Sequence, residues 1–95
     1  MKLISNKALR EFGARYPAAV TTLDGWRRVI EKNSFSHWAD LKKSFVSVDK
    51  VGEFAVFNIG GNKYRLVAFV RFDAQIIYVK AVLTHAEYDQ GSWKS

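Results

Sequence analysis

Six consecutive residues, Thr84-His85-Ala86-Glu87-Tyr88-Asp89, put an imidazole, two carboxylates and a phenol into one short stretch. Imidazole is the side chain that trades protons nearest neutral pH. A phenol can stack on a nucleobase or help to position a phosphate. The stretch directly follows the most hydrophobic strand-like run of the chain. Polar groups that leave the end of a buried strand are held by a rigid scaffold, and sites are commonly built there. The competing reading is a polar tail that solvates the C-terminus.

Other groupings carry less chemistry. His37 and His85 lack supporting ligands at short spacing, so they make a poor metal site. Glu87 and Asp89 alone are a thin basis for Mg²⁺. The reading is therefore of a site with no metal and no cofactor. His37 reads as a surface residue near a helix cap. Gly60-Gly61-Asn62 has neither the following helix nor the Lys-Ser/Thr of a phosphate loop. No serine has a convincing base beside it, and with no cysteine in the chain, thiolate metal sites, disulfides and cysteine nucleophiles are excluded.

The 95 residues suffice for one domain, spanning 1–95, and at 48% hydrophobic and 15% aromatic they can build a core without staples. Lys and Arg number 15 against 9 Asp and Glu, a net charge of +6. Such a balance attracts polyanions, nucleic acid foremost, ahead of an acidic protein or a membrane surface. The N-terminus MKLISNKALR has no apolar run of the signal-peptide kind, and no segment has the length and apolarity of a membrane span. The expected home is the cytoplasm.

The elements that must position the polar stretch read as follows. Met1 to Ile4 suits an edge strand. Leu9, Phe12 and Tyr16 recur at helical spacing, weakened at Gly13, and Pro17 ends that helix or opens the next. Val20, Leu23, Trp26 and Ile30 form the stripe of a second helix. The two make a hairpin with one apolar face, suited to packing on something flat. A shorter helix spans His37 to Phe45 with Ser36 as its cap, and Ser47 to Gly52 reads as a loop. From Glu53 the period changes. Glu53 to Ile59, Lys63 to Phe72 and Ile76 to Leu83 are rich in Val, Ile, Phe and Tyr, and turn residues join them, which predicts a three-stranded antiparallel meander.

In the middle strand Tyr64, Leu66, Ala68, Val70 and Phe72 share the apolar side. In the last strand Ile77, Val79, Ala81 and Leu83 form the matching set. Pairing the two sets puts Val67 opposite Lys80 and Arg65 opposite Val82, so that Arg65 and Lys80 become diagonal neighbours. Across the first turn Phe57 falls opposite Leu66, and Asn58 beside Arg65. The face away from the helices then carries Asn58, Lys63, Arg65, Tyr78 and Lys80 over a floor of Phe54, Val56, Val67 and Phe69. Cations interleaved with aromatic residues are a usual means of holding single-stranded RNA. An ordinary solvated sheet face is the alternative.

The runs Phe57-Asn58-Ile59-Gly60-Gly61-Asn62-Lys63-Tyr64-Arg65-Leu66, Tyr78-Val79-Lys80 and Thr84-His85-Ala86-Glu87-Tyr88-Asp89 resemble those of the HigB toxins of bacterial type II toxin–antitoxin systems, in the RelE-like superfamily of mRNA interferases. The resemblance continues upstream through Ala8-Leu9, Pro17, Trp26 and Leu41-Lys42 to Val48-Asp49, and downstream to about Trp93. It implies an α+β, RelE-like fold, with an N-terminal helical hairpin packed on one face of a small antiparallel sheet. It implies a metal-independent endoribonuclease that cleaves mRNA on the translating ribosome and so inhibits translation. It also implies a cognate helix-turn-helix antitoxin. By position, Arg65, Lys80, His85 and Tyr88 take the catalytic places, and Asn58, Lys63, Tyr78 and Glu87 the RNA-binding ones.

In such an enzyme the 2′-hydroxyl attacks the adjacent phosphate, leaving 2′,3′-cyclic phosphate and 5′-hydroxyl ends. The fork of Arg65 suits the phosphate. Lys80 adds charge or shuttles a proton, His85 is the acid/base group, Tyr88 stacks or positions, and Glu87 orients His85. The alternatives are a non-catalytic RNA- or ribosome-binding module on the same face, and an interaction domain whose basic face docks an acidic partner.

Overall fold

The computed structural model of the protein describes residues 1–94; Ser95 lies outside the described residues. The chain runs β1 (Lys2–Ile4), α1 (Lys7–Arg15), α2 (Val20–Lys32), α3 (Trp38–Ser44), β2 (Asp49–Val51), β3 (Phe54–Ile59), β4 (Tyr64–Arg71), β5 (Ile76–Thr84) and α4 (His85–Gln90). The α+β architecture is the expected one. A short 3₁₀ turn, Pro17–Ala19, joins α1 to α2, with Pro17 where its missing N–H costs nothing. Gly13 is small for a reason: a Cβ there would lie 3.0 Å from Val20 Cγ2, where the end of α1 meets the start of α2. The cap of α3 is His37 rather than the expected Ser36, whose own backbone N–H donates to Asp40 Oδ2 at 3.0 Å.

The meander β3-β4-β5 forms as expected and is extended on both sides, giving the order β1-β5-β4-β3-β2. β1 is the anticipated edge strand, and it runs parallel to β5, with Leu3 opposite Ile77. β2 lies in the stretch expected to be a loop, with Asp49 opposite Val56. Its three residues carry no alternation, and only pairing with β3 makes them a strand. A long-range clamp holds the turn between β4 and β5: the Gln75 side chain accepts from the Phe35 N–H at 3.1 Å and donates to the Phe35 and Phe72 carbonyls.

One face of the sheet buries the main core. Leu9, Phe12, Leu23, Trp26 and Ile30 from α1 and α2 pack with Leu41, Ala55, Phe57, Leu66, Ala68 and Ile77. Phe57, 1% exposed, meets Trp26 and Phe45 edge-on at ring-centroid distances of 5.4 and 5.0 Å. Deleting that ring leaves a cavity that close-packed neighbours fill only in part. Phe57→Ala is therefore expected to cost about 3–5 kcal/mol, out of a total of about 5–15 kcal/mol for domains of this kind. Urea unfolding measures this, and a loss below about 1 kcal/mol would contradict the packing.

The pairing of β4 with β5 differs from the expected register in its second half. From Arg71↔Ile76 to Ala68↔Val79 the expected pairs form. Val67 then faces Ala81, Leu66 faces Val82 and Arg65 faces Leu83, because Lys80 is an extra residue in a β-bulge. The expected Val67–Lys80 and Arg65–Val82 pairs are not made. Val82 consequently joins the helix-side core, while Leu83 packs on the opposite face with Val56 and Val67. Phe57 opposite Leu66 and Asn58 opposite Arg65 stand as expected.

Candidate nucleic-acid interface

The polar stretch that follows β5 folds into α4, and its first turn is locked by a reciprocal cap. Thr84 Oγ1 accepts from the Glu87 N–H at 3.2 Å, and Glu87 Oε1 accepts from the Thr84 N–H at 2.9 Å. Gly91, at φ 78°, ends the helix in the left-handed conformation that favours glycine. The chain then turns back so that the Trp93 indole N–H donates to the Tyr88 carbonyl at 2.9 Å.

That return changes the face of the sheet. The expected open floor is roofed: Val56, Val67 and Trp93 form a second small core at 2%, 0% and 7% exposure, with Phe54, Leu83 and Tyr88 packed against it. Trp93 stacks on Tyr88 with ring centroids 5.1 Å apart and planes 14° apart, and meets Phe54 edge-on at 6.1 Å. The guanidinium of Arg65 lies 5.9 Å from the Tyr88 ring centre, and the ammonium of Lys80 lies 4.8 Å from that of Phe54. The result is an aromatic row, Tyr88-Trp93-Phe54, with a cation at each end. Arg65 and Lys80 therefore do not converge as expected. Their ends of the row are marked on β3 by Asn58 and Phe54, which the strand rise separates by about 13 Å.

Arg65 is the buried cation of this face, 9% exposed. Its Nη1 donates to the Tyr64 carbonyl at 3.0 Å and its Nη2 to Asn62 Oδ1 at 3.3 Å. Both acceptors are neutral, and the ion pairs among the described residues involve other side chains. A buried charge held by neutral oxygens keeps most of its attraction for an anion, because little solvent screens it.

The remaining residues sort by the end they occupy. His85 opens α4; its backbone N–H donates to the Lys63 carbonyl at 3.1 Å, which ties the helix to the turn beside Arg65. Its Nδ1 lies 2.9 Å from Asp89 Oδ2, one helical turn on, and the imidazole is about half exposed. The carboxylate beside His85 is that of Asp89, not Glu87. The Glu87 carboxyl is taken up in the cap, and the Thr84 backbone N–H holds it below the ordinary carboxylate value, with burial opposing. Asn58, Lys63, Arg65, His85 and Tyr88 thus share the end of the sheet nearest the β3–β4 turn. Lys80 and Tyr78, the latter opposite Phe69 and 45% exposed, lie toward the other end. Sequence reading left out Trp93, Asn62 and the pairing of Asp89 with His85. For Asp89 the i,i+4 spacing from His85 was a usable signal.

The cap has a measurable consequence. Thr84→Ala is expected to cost about 1 kcal/mol. For Glu87, a folded pKa below the ordinary 4.5 contributes stability that is present above that value and lost as pH falls through the depressed one. The difference between wild type and Glu87→Gln in urea midpoint should therefore shrink as pH falls from 7 through the carboxylate range. A difference that grew with acid would contradict the capping geometry.

Comparison with known proteins identifies the family. The family described as HigB toxin, the RelE-like toxic component of a toxin–antitoxin system, matches residues 19–91. The chain is 40% identical over 92 residues to an mRNA interferase toxin HigB of Escherichia coli (strain K12), covering 94% of this chain and 88% of that one. An mRNA interferase HigB of Shigella flexneri matches with the same identity and coverage. A second HigB, from Escherichia coli O6:H1, is 30% identical over 93 residues, covering 95% and 90%. Fold, matched span and identity agree: the chain belongs to the HigB family of RelE-like toxins, the toxic components of toxin–antitoxin systems.

Proposed function

We propose that this chain is an mRNA interferase, an endoribonuclease that cleaves mRNA on the translating ribosome in the cytoplasm and is held inactive by a helix-turn-helix antitoxin. The observation that carries the site assignment is Arg65: a buried cation whose hydrogen-bond acceptors among the described residues are neutral, at one end of an aromatic row. A phosphodiester is the anion such a fork fits.

In this reading the scissile phosphate sits against Arg65. His85 holds its Nδ1 proton toward Asp89, which leaves Nε2 to take the proton of the 2′-hydroxyl. The 2′-oxygen forms a bond to phosphorus, the bond from phosphorus to the 5′-oxygen breaks, and the departing oxygen takes up a proton from solvent. The products are a 2′,3′-cyclic phosphate and a 5′-hydroxyl. Arg65 acts on the charge that builds on the phosphorane, where fixed donors matter most. Tyr88 serves through its ring, which backs the guanidinium. Asn58 and Lys63 flank the same phosphate, while Tyr78 and Lys80 hold RNA further along the face. Glu87 serves through the cap.

Lys80 therefore contributes binding rather than proton transfer. Lys80→Ala is expected to weaken RNA binding similarly for all sequences and to lower the slope of log affinity against log salt by about 1. An unchanged salt slope, with turnover lost instead, would return Lys80 to the chemistry. The function itself is tested by mapping 5′ ends in a translation reaction, with and without the protein and its Arg65→Ala variant. New 5′-hydroxyl ends that require Arg65 support it. Binding without new ends would make the chain a non-catalytic RNA- or ribosome-binding module, and 5′-phosphate ends would rule out the proposed chemistry.

A further inference from the structure

At the end of the sheet that holds Phe54 lies a cleft of about 380 Å³ that the reaction does not use; Phe54 belongs to the roofed face of the sheet, while Trp38 and Phe72 pack against the helix-side core. Its walls include Trp38 of α3, Phe54 of β3, Phe69 of β4 and Phe72 just after that strand, with Lys50 and Glu53 among its polar residues. The four aromatic residues are each half-buried, so each keeps some surface free. Phe54 belongs both to this cleft and to the aromatic row, and the Lys80 ammonium stands 4.8 Å from its ring centre. Small-molecule sites of this size are mostly apolar, with a few placed polar groups that set orientation.

We infer that this cleft is a nucleobase subsite: it takes one unstacked base of the bound RNA, and the Glu53 carboxylate selects a base bearing an exocyclic amino group over uracil. This rests on the RNA-cleaving reading of the same face. Three features favour a base over another occupant. Aromatic walls from three separate elements suit a flat ring, and unstacked bases of single strands are held in this way. Lys80 at the Phe54 wall, with Lys50 among the lining residues, suits the phosphate that accompanies a base. Glu53 is a pure acceptor when ionised; an exocyclic amine donates to it, whereas the N3–H of uracil lies between two carbonyl oxygens that repel a carboxylate.

Two readouts on the full chain test this separately from cleavage. In the first, nucleoside 5′-monophosphates are titrated against labelled protein, and the Trp38 indole N–H resonance is followed by NMR. Saturable shifts are expected, with the uridine nucleotide at least about tenfold weaker than the others. Glu53→Gln, whose amide can both donate and accept, should bring the four within about threefold. An unmoved Trp38 resonance, or unchanged discrimination in Glu53→Gln, overturns the subsite. In the second, cleavage sites are mapped for wild type and Glu53→Gln. A base preference at one fixed distance from the cut should relax while total cleavage stays within a few fold; identical base distributions overturn the assignment. Trp38 shifts in a protein that makes no cuts would keep the nucleotide site and refute the nuclease, whereas cuts with Trp38 unmoved would do the reverse.

Discussion

Arg65→Ala is expected to lower the cleavage rate by about 10²- to 10³-fold, the range seen when one fixed donor to a developing oxyanion is removed. The size follows from burial. At 9% exposure the guanidinium is poorly screened, and the neutral Tyr64 and Asn62 oxygens that hold it do not cancel its charge. Its place over Tyr88 is also structural, so loss of activity alone would be ambiguous. Arg65→Lys removes the ambiguity. It keeps the charge but gives up the planar fork that the backbone carbonyl, Asn62 and a phosphate would share. Cleavage should fall at least about tenfold in the lysine variant, while its urea midpoint stays near wild type. Full activity with lysine would show that a point charge suffices, and the role given to the planar fork would be wrong.

Half of this geometry was legible in the sequence, because alternation and turn chemistry are local. Gly60-Gly61-Asn62 and the apolar sets of β3 and β4 put Phe57 opposite Leu66 and Asn58 beside Arg65, and the pairing agrees. The second half of β5 was not legible. Matching apolar sets assumes that only one face is buried, but Val56, Val67 and Leu83 lie in a second core beneath Trp93. Ala81 and Leu83 are apolar enough for either face, and no glycine or proline marks the bulge at Lys80. Lys80 still reaches the expected face, because the bulge adds one residue to it before Val82 crosses to the helices. The aromatic row was out of reach for another reason. It joins β3 to residues after α4, and a turn at Gly91 gives no hint of which surface Trp93 will meet. The family resemblance supplied the activity class, whereas the stacking order of Arg65, Tyr88 and Trp93 required tertiary structure.

His85→Ala is expected to reduce cleavage by about 10²- to 10⁴-fold, the range for loss of a positioned acid/base group, and Tyr88→Phe by only a few fold. The contrast follows from what each residue already does. The Tyr88 ring stacks on Trp93 and lies 5.9 Å from the Arg65 guanidinium carbon, and phenylalanine keeps that surface. The imidazole is about half exposed, opens α4 beside the Lys63 turn, and has one nitrogen held by Asp89. A carboxylate that close favours the proton on Nδ1 and so leaves Nε2 free, as a carboxylate does for histidine in other hydrolytic sites. Asp89→Asn should therefore reduce cleavage less than His85→Ala, because an amide can still accept from Nδ1–H but no longer balances the imidazolium that forms. Rates are to be compared under single-turnover conditions with RNA in excess of its affinity, so that binding losses do not enter. If Tyr88→Phe lost as much as His85→Ala, the phenol would carry the proton and the imidazole would be the supporting group. If neither variant lost activity, the acid/base group would lie outside α4, and Lys63 in the adjoining turn would be the next residue to replace.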